Sequence, residues 1–392
     1  MEFRFDYRPG TIRYGAGRID ALGDELAALG ADDALIVTGR TVGETAAVME
    51  PVRAGLGDRL AGEFAETTPE KRFETAVAGA ERLAVTGADA VVAVGGGSSL
   101  DVAKVMVALA AAGEPATLRD EFEATGAVAV PDGDLRPVVA APTTLAGADL
   151  STIAGITSRR DGLVRGGAHD RRLMPAALLY DPELLRTTPH DVLCASAMNG
   201  FDKAVETTYA ATATPVTDAT AVRALRLLSR GLPGLGAGDR DEKTIHDAVV
   251  GTVLAQYGCS RADGLTLSLI HAFGHGVARG YEIQQGGAHA VVAPHALRYL
   301  FDRVDAGRDL LAEGLGVEAA TPAATATAVV ERVAEIRDAL GLPARLREID
   351  DMSKSDLPAV AADVRADGFV SNCPPGLDPT VEELETVLRE AW

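Results

Sequence analysis

The stretch Ala88 to Lys104, ADAVVAVGGGSSLDVAK, constrains the fold more than any other part of the chain. Its apolar run Ala90 to Val94 shows no alternation of polar and apolar residues, as expected of a strand buried on both faces of a parallel sheet. Ligand crevices in such sheets lie at the carboxyl ends of the strands. Gly95, Gly96 and Gly97 allow a sharp turn and close backbone approach to a ligand, and Ser98 or Ser99 is the expected N-cap of a helix beginning near Leu100. The N–H groups of that helix start suit a pyrophosphate. The spacing is neither G-x-G-x-x-G nor G-x-x-x-x-G-K-[ST], so the residues alone leave two readings open: a phosphate-binding turn, or a purely structural strand-to-helix turn.

The surroundings of the turn fit a parallel sheet with helices on both faces. A β-rich opening over Glu2 to Ile12, strands at Ala34 to Thr38 and Arg136 to Ala141, and helices at Ile19 to Leu29, Gly43 to Gly55 and Phe73 to Thr86 are expected. Ser151 to Thr157 and Leu163 to Gly167 flank the charged turn 158–162 as a hairpin, and Ala177 to Tyr180 is the last strand. Beyond it the periodicity is helical: Val192 to Ala211, Val216 to Ser229, Lys243 to Tyr257, Leu265 to Tyr281, Ala288 to Val304, Ala323 to Leu340 and Thr380 to Ala391. The expected architecture is an α/β domain over residues 1–183 and an all-helical domain over 184–392, with the active site in the cleft between them.

The 57 acidic residues outnumber the 37 basic ones and give a formal charge of −20, which opposes affinity for nucleic acid or anionic membranes. No apolar run approaches the roughly 18 residues that span a bilayer, and residues 1–10 lack a basic segment followed by an apolar one, so a cytoplasmic protein is expected. Only five basic residues are lysine: Lys71, Lys104, Lys203, Lys243 and Lys354. With abundant Asp, Ala and Val this points to a salt-rich cytoplasm, in which dense carboxylates hold water while their repulsion is screened. A GC-rich genome accounts for the Ala, Gly and Arg nearly as well. Cys194, Cys259 and Cys373 have no C-x-x-C spacing and read as buried thiols.

Four of the seven histidines, His271, His275, His289 and His295, fall within 25 residues. His271 and His275 share a helix face, which Arg279 continues, and such a pair can bind a metal or supply a general acid. A structural histidine on a helix lining a cleft is the plainer reading, and no carboxylate follows in that helix before Glu282. The second concentration is MNGFDKAVE, Met198 to Glu206, where Lys203 stands on a helix of Ala, Val and Thr. From the pattern alone, Lys203 reads as solvated or paired with Asp202 or Glu206.

GGGSSLDVAK, Gly95 to Lys104, resembles the GGGS-x-x-D-x-AK signature of iron-dependent alcohol dehydrogenases. The neighbouring segments follow in order: Ala141 to Gly147 (APTTLAG), Asp170, and Pro175 to Leu184 (PAALLYDPEL). The resemblance runs from about Phe3 to the C-terminus. It implies a Rossmann-like N-terminal domain, a helical C-terminal domain and a nicotinamide cofactor on the turn Gly95, Gly96, Gly97 and Ser98, with Asp101, Thr143, Thr144 and Leu145 also at the cofactor. Where metal-dependent members place an Asp and three His ligands, this chain has Asn199, Lys203, His271 and Gln285. An ammonium repels a divalent cation and amides are weak ligands, so no catalytic iron or zinc is expected. Met198-Asn199, Thr143 to Thr157 and Gly287 to Leu297 are more similar to the metal-independent maleylacetate reductase branch, although that branch too usually keeps histidine where Lys203 stands.

These resemblances imply an NAD(P)-dependent oxidoreductase moving a hydride between the cofactor and a small alcohol or carbonyl compound. Lys203 is then expected to stand in for the metal, with His275 and His271 as further candidate proton donors. At the end of strand Ala34 to Thr38, Gly39 and Arg40 replace the ribose-binding Asp of many NAD-selective relatives, which favours NADP over NAD. A homodimer is expected. The alternatives are a metal-dependent alcohol or glycerol-type polyol dehydrogenase, a sugar-phosphate enzyme of the same fold, and a non-catalytic nucleotide-binding relative.

Overall fold

The computed structural model describes every residue except Met1, Glu114, Asp161 and Ala262, with the side chains of Pro115 and Ala116 also left aside. The chain divides into two compact units, Tyr7–Thr188 and a second made of Met1–Asp6 with Pro189–Trp392.

In the first unit the strands are β1 (Thr11–Tyr14), β2 (Ala34–Gly39), β3 (Leu60–Thr67), β4 (Ala90–Gly95), β5 (Val138–Pro142), β6 (Ile153–Ser158), β7 (Val164–His169) and β8 (Ala177–Tyr180). Among the described residues they form a six-stranded parallel sheet in the order β1-β8-β5-β4-β2-β3, and β6 and β7 pair as an antiparallel hairpin. Asp161, in the expected hairpin turn, lies outside the described residues. The helices are α1 (Leu22–Ala28), α2 (Arg40–Gly43), α3 (Ala46–Leu56), α4 (Phe73–Thr86), α5 (Gly97–Ala112), α6 (Pro115–Thr125) and α7 (Pro182–Arg186). The chain leaves β2 for β3 on one side and then crosses to β4 on the other. The crevice of this sheet therefore opens at the carboxyl ends of β2 and β4, where Gly39 and Gly95 lie.

Strand β4 is buried along its whole length, as its unbroken apolar sequence requires. One face of the sheet packs Ile36, Val92, Val94, Val139 and Leu179 against Leu22, Leu26, Val48, Met49 and Val52. On α5, Lys104 is completely buried, and its ammonium donates to the carbonyls of Ala148 and Ser151 (2.7 Å each) and Ile153 (3.2 Å). A buried cation is tolerable only with such partners, and here they hold the segment after β5 against α5.

Three local expectations are corrected. The helix after the glycines starts at Gly97 with Gly96 as N-cap, so Ser98 and Ser99 lie in its first turn and neither caps it. Ser99 instead makes a 2.8 Å hydroxyl contact with Thr67. The opening strand is only Thr11–Tyr14, because Phe5 belongs to the second unit, where the Arg261 guanidinium lies 5.4 Å over its ring. The units part after Thr188 rather than after residue 183. Asp181 caps α7 through the Glu183 N–H and also accepts from the Ile19 N–H (3.0 Å each), while Leu184 enters the core beneath the sheet.

The second unit is built from α8 (His190–Thr207), α9 (Pro215–Gly236), α10 (Glu242–Gln256), α11 (Leu269–Gly280), α12 (Gln285–Arg303), α13 (Arg308–Leu315), α14 (Pro322–Ala339), α15 (Leu357–Ala366) and α16 (Val381–Ala391). Helix α8 is buried from Leu193 to Thr207, so the polar residues Asn199, Asp202, Lys203 and Glu206 all lie in the interior. Helix α11 begins at Leu269 rather than Leu265, because residues 264–265 pair with 260–261 as a short ribbon. Among the described residues no helix is long and apolar enough to cross a membrane.

Candidate active site

The glycine turn in the first unit is a tight cradle. Gly95 has φ +130°, a conformation that side-chain-bearing residues rarely adopt. A Cβ on Gly96 would lie 3.2 Å from Thr144 Cγ2, and one on Gly97 would lie 3.3 Å from Ala148 Cβ. Gly95 O accepts from the Thr143 N–H (3.0 Å), and Thr143 O accepts from the Thr188 hydroxyl (2.6 Å), so the Thr143-Thr144-Leu145 segment is held against the turn. No side chain caps α5, and the hydroxyl of buried Thr38 has no protein partner among the described residues. Free N–H groups at a helix start beside glycines fit a pyrophosphate. Asp101 faces Lys71 with a 2.6 Å ion pair, so its carboxylate ties the first turns of α5 to the loop after β3. Gly39 ends β2 in an extended conformation, and exposed Arg40 opens α2.

In the second unit the four positions that the family resemblance assigns to metal ligands lie on α8 (Asn199, Lys203), α11 (His271) and α12 (Gln285). Asn199 Nδ2 donates to Gln285 Oε1 at 3.5 Å, and Lys203 Nζ donates to Gln256 Oε1 at 3.2 Å. Lys203 is 8% exposed. Its ammonium thus lies in the interior rather than among solvated surface charges. His271 is fixed by Glu206: its backbone N–H donates to Oε1 at 2.9 Å, and its Nδ1 lies 2.5 Å from Oε2. The carboxylate absent from the sequence around His271 is therefore supplied by α8. Burial pushes Glu206 up to about 8 against the N–H groups of residues 268, 270 and 271, which favour its charged form. Burial, reinforced by the Lys203 ammonium, holds His271 well below the ordinary histidine range.

His289, one turn beyond Gln285, has its ring 4.3 Å from that of His271 and its Nδ1 3.3 Å from Asp202 Oδ2. Neither nitrogen of His289 and neither oxygen of Asp202 has a hydrogen-bond partner among the described residues. Burial raises Asp202 and lowers His289, which favours a neutral acid beside a neutral imidazole over an ion pair. The ring of His289 fits only because residue 274 is glycine: a Cβ there would stand 2.0 Å from His289 Cδ2.

His275, the other member of the pair on α11, is less buried and donates or accepts through Nδ1 with Asp367 Oδ2 at 2.8 Å. Arg279 is engaged by Asp363 at 2.9 Å. Nothing in the sequence singles out Gly274 or Asp367, and Glu206, by spacing a candidate partner of Lys203, holds His271 instead. His289 lies inside the histidine cluster, whereas the partners of His271 and His275 are 65 and 92 residues away.

An ammonium, two amides and one imidazole form a poor donor set for iron or zinc. Among the described residues no group of three His, Cys, Asp or Glu side chains could hold a metal ion.

Residues 9–182 match the iron-containing alcohol dehydrogenase family, and residues 193–392 match its C-terminal region. The chain is 28% identical to a maleylacetate reductase of Burkholderia cepacia over 389 residues, covering 99% of this chain and 97% of that protein. It is 27% identical to lactaldehyde reductase of Escherichia coli, covering 97% and 98%. The structure of sulfoacetaldehyde reductase from Bifidobacterium kashiwanohense in complex with NAD+ superposes with a TM-score of 0.85 at 20% identity, covering 100% and 99%.

Proposed function

This chain belongs to the iron-containing alcohol dehydrogenase family and is an NAD(P)-dependent oxidoreductase of small alcohols or carbonyl compounds, and we propose that it works without a catalytic metal, with Lys203 in the metal's role. The carrying observation is the Lys203 ammonium, buried on α8 one turn after Asn199, held by Gln256 and close enough to His271 to act on its charge, at a position that the family resemblance assigns to a metal ligand.

When bound, the nicotinamide supplies or accepts the hydride. The residues around Lys203 must then stabilise the negative charge that develops on the substrate oxygen. A fixed ammonium in a desolvated site does this without reorganisation, since its attraction for an oxyanion is much stronger there than in water. Gln256 orients the ammonium through Oε1. One helical turn before Lys203, Asn199 pairs its amide with that of Gln285, a neutral donor and acceptor set, and Asn199 Oδ1 is buried without a protein partner among the described residues. His271, held neutral by its surroundings, is poorly suited to donate a proton near neutral pH, which leaves His275 as the donor.

For the cofactor, Gly95, Gly96, Gly97 and Ser98 would hold the pyrophosphate, with Thr143, Thr144 and Leu145 along its edge and Asp101 acting through Lys71 to brace the turn. Gly39 and Arg40 favour NADP, because no carboxylate there repels a 2′-phosphate and a guanidinium is available to it. The maleylacetate and lactaldehyde reductases among its relatives suggest a small oxo acid or hydroxyaldehyde as substrate.

Lys203→Met tests the reading. With a panel of aldehydes and oxo acids and either reduced cofactor, it is expected to lower kcat by roughly two orders of magnitude, as loss of one oxyanion donor does, with cofactor affinity unchanged. Turnover equal to that of the parent, or one equivalent of iron or zinc in protein purified without added metal, rejects it.

A further inference from the structure

We propose that Asp367 is the positioning residue for His275, committing Nδ1 so that Nε2 passes the proton in carbonyl reduction; the chemistry rests on the functional reading above.

The geometry around His275 fixes its ring from several sides. Asp367 Oδ2 meets Nδ1 at 2.8 Å, while Oδ1 accepts the Phe369 N–H at 3.0 Å and so caps the turn Gly368–Asn372. The carboxylate cannot swing away from His275 without uncapping that turn. The Phe369 ring lies 5.2 Å from the ring of His275 and 6.3 Å from that of His271, next to both imidazoles. The turn is tied to the start of α11 by Asn372 Nδ2, which donates to Leu267 O at 2.8 Å. At Gly276 the helix is pressed onto α15: a Cβ there would lie 2.6 Å from Val364 Cγ2.

Burial is graded across the pair, with the Asp367 side chain 10% exposed and that of His275 36% exposed. This arrangement suits a sheltered orienting acid behind an imidazole that can exchange protons with water. Burial pushes the Asp367 carboxyl up, but the His275 contact, the Phe369 N–H and Arg279 more than offset it and leave the group below its usual range, so the partner of His275 is an anion. His271, completely enclosed and bound through Nδ1 to Glu206, lacks that route to solvent.

Hydride arriving at the carbonyl carbon from the reduced nicotinamide, which is thereby oxidised, moves the carbonyl π electrons to oxygen. The imidazolium of His275 gives its Nε2 proton to that oxygen, forming the alcohol and a neutral imidazole whose Nδ1–H remains on Asp367. Water then returns a proton to Nε2.

The charged and titratable groups around His275 are Asp367, Arg279 with its partner Asp363, and, toward the interior, His271, His289, Glu206 and Lys203. Removing the Asp367 charge is therefore separable from the others by the variants Asp367→Asn and Asp367→Glu. Asn keeps a capping oxygen for the Phe369 N–H, so the turn survives.

The first readout needs no substrate: the rate at which diethylpyrocarbonate modifies His275, followed by peptide mass spectrometry across pH. In Asp367→Asn the midpoint is expected to fall by about one pH unit, because a carboxylate at this range stabilises the imidazolium, and Asp367→Glu is expected to restore much of it. The second readout is kcat with an aldehyde or oxo acid from the panel, expected to fall at least about 100-fold in Asp367→Asn with the KM for cofactor unchanged. An unchanged midpoint overturns the pairing, and a shifted midpoint with unchanged kcat overturns its role in proton transfer. A parent protein that turns over no carbonyl overturns the functional reading instead, and with it the proton-transfer step, while the modification midpoints still decide the pairing.

Discussion

Replacing Gly274 with alanine adds one methyl group in the interior of the second unit, and the structure fixes what it meets. The new Cβ would stand 2.0 Å from Cδ2 and 2.3 Å from Nε2 of His289, about 1.4 Å inside ordinary contact. The ring has little freedom to retreat: it is fully buried, with the His271 ring 4.3 Å away on one side and the Asp202 carboxyl on another. Overpacking of this kind costs about 1–3 kcal/mol, and the confinement argues for the upper end. Alanine is the better helix former by about 1 kcal/mol, which leaves a net loss of about 2 kcal/mol. For a unit of this size that is a fall in Tm of about 4–8 °C, measurable by calorimetry. In a His289→Ala background the clash is gone and only the propensity remains, so the same substitution should there raise Tm. A Gly274→Ala protein that melts at or above the parent temperature in the otherwise unaltered chain would refute the packing argument, and equal effects in the two backgrounds would refute the pairing of residue 274 with His289.

Two further outcomes follow from other parts of the chain. Gly39 is extended (φ −84°, ψ 157°), a conformation open to any residue, and a Cβ there would lie 3.2 Å from Thr67 O, so Gly39→Asp needs only a small shift at β3 and should move cofactor preference toward NAD by tenfold or more; calorimetric binding of 5′-AMP against 2′,5′-ADP reads this directly, and an unchanged ratio removes Gly39 from cofactor selection. His295 is lowered to about 4, first by burial and then by Arg298, Arg345 and Arg337. Its folded form therefore resists a proton that the unfolded chain accepts below about 6.5, so stability is full above that pH and declines as pH falls from about 6.5 to about 4, by on the order of 3 kcal/mol. Urea unfolding of the parent and of His295→Gln across this window should show a shallower decline in the variant.

Much of the first unit is legible in the chain, because each buried strand carries its own signal. Ala90 to Val94 and Val138 to Ala141 are unbroken apolar runs, and the glycines announce the turn. Strand β3 (LAGEFAET) gives no such signal, since as an edge strand it is half exposed and carries two glutamates. Boundaries shift where a residue answers to a distant partner, as Phe5 does to Arg261. In the second unit the helices are periodic enough to find, and Lys203 and His271 stand out by scarcity and spacing. What cannot be read is which side chain holds which. Glu206 reaches His271 because α8 packs against α11, Asp367 reaches His275 from beyond α15, and Gly274 matters only because His289 fills the space it leaves. These relations belong to helix packing, and no local pattern encodes them.

Lys104 turns the chain's unusual basic composition into a diagnostic. Where arginine replaces lysine almost everywhere, a lysine that persists can mark a place that a planar guanidinium cannot enter. The Lys104 ammonium is ringed by three carbonyl oxygens, much as a small inorganic cation would be, and the fork of an arginine would not fit that cage. Lys203, also enclosed, gives its ammonium to the Gln256 amide oxygen, whereas Lys243 lies out in solvent beside Asp247. In chains with this bias, the few lysines left in the sequence are the first places to look for an interior cation.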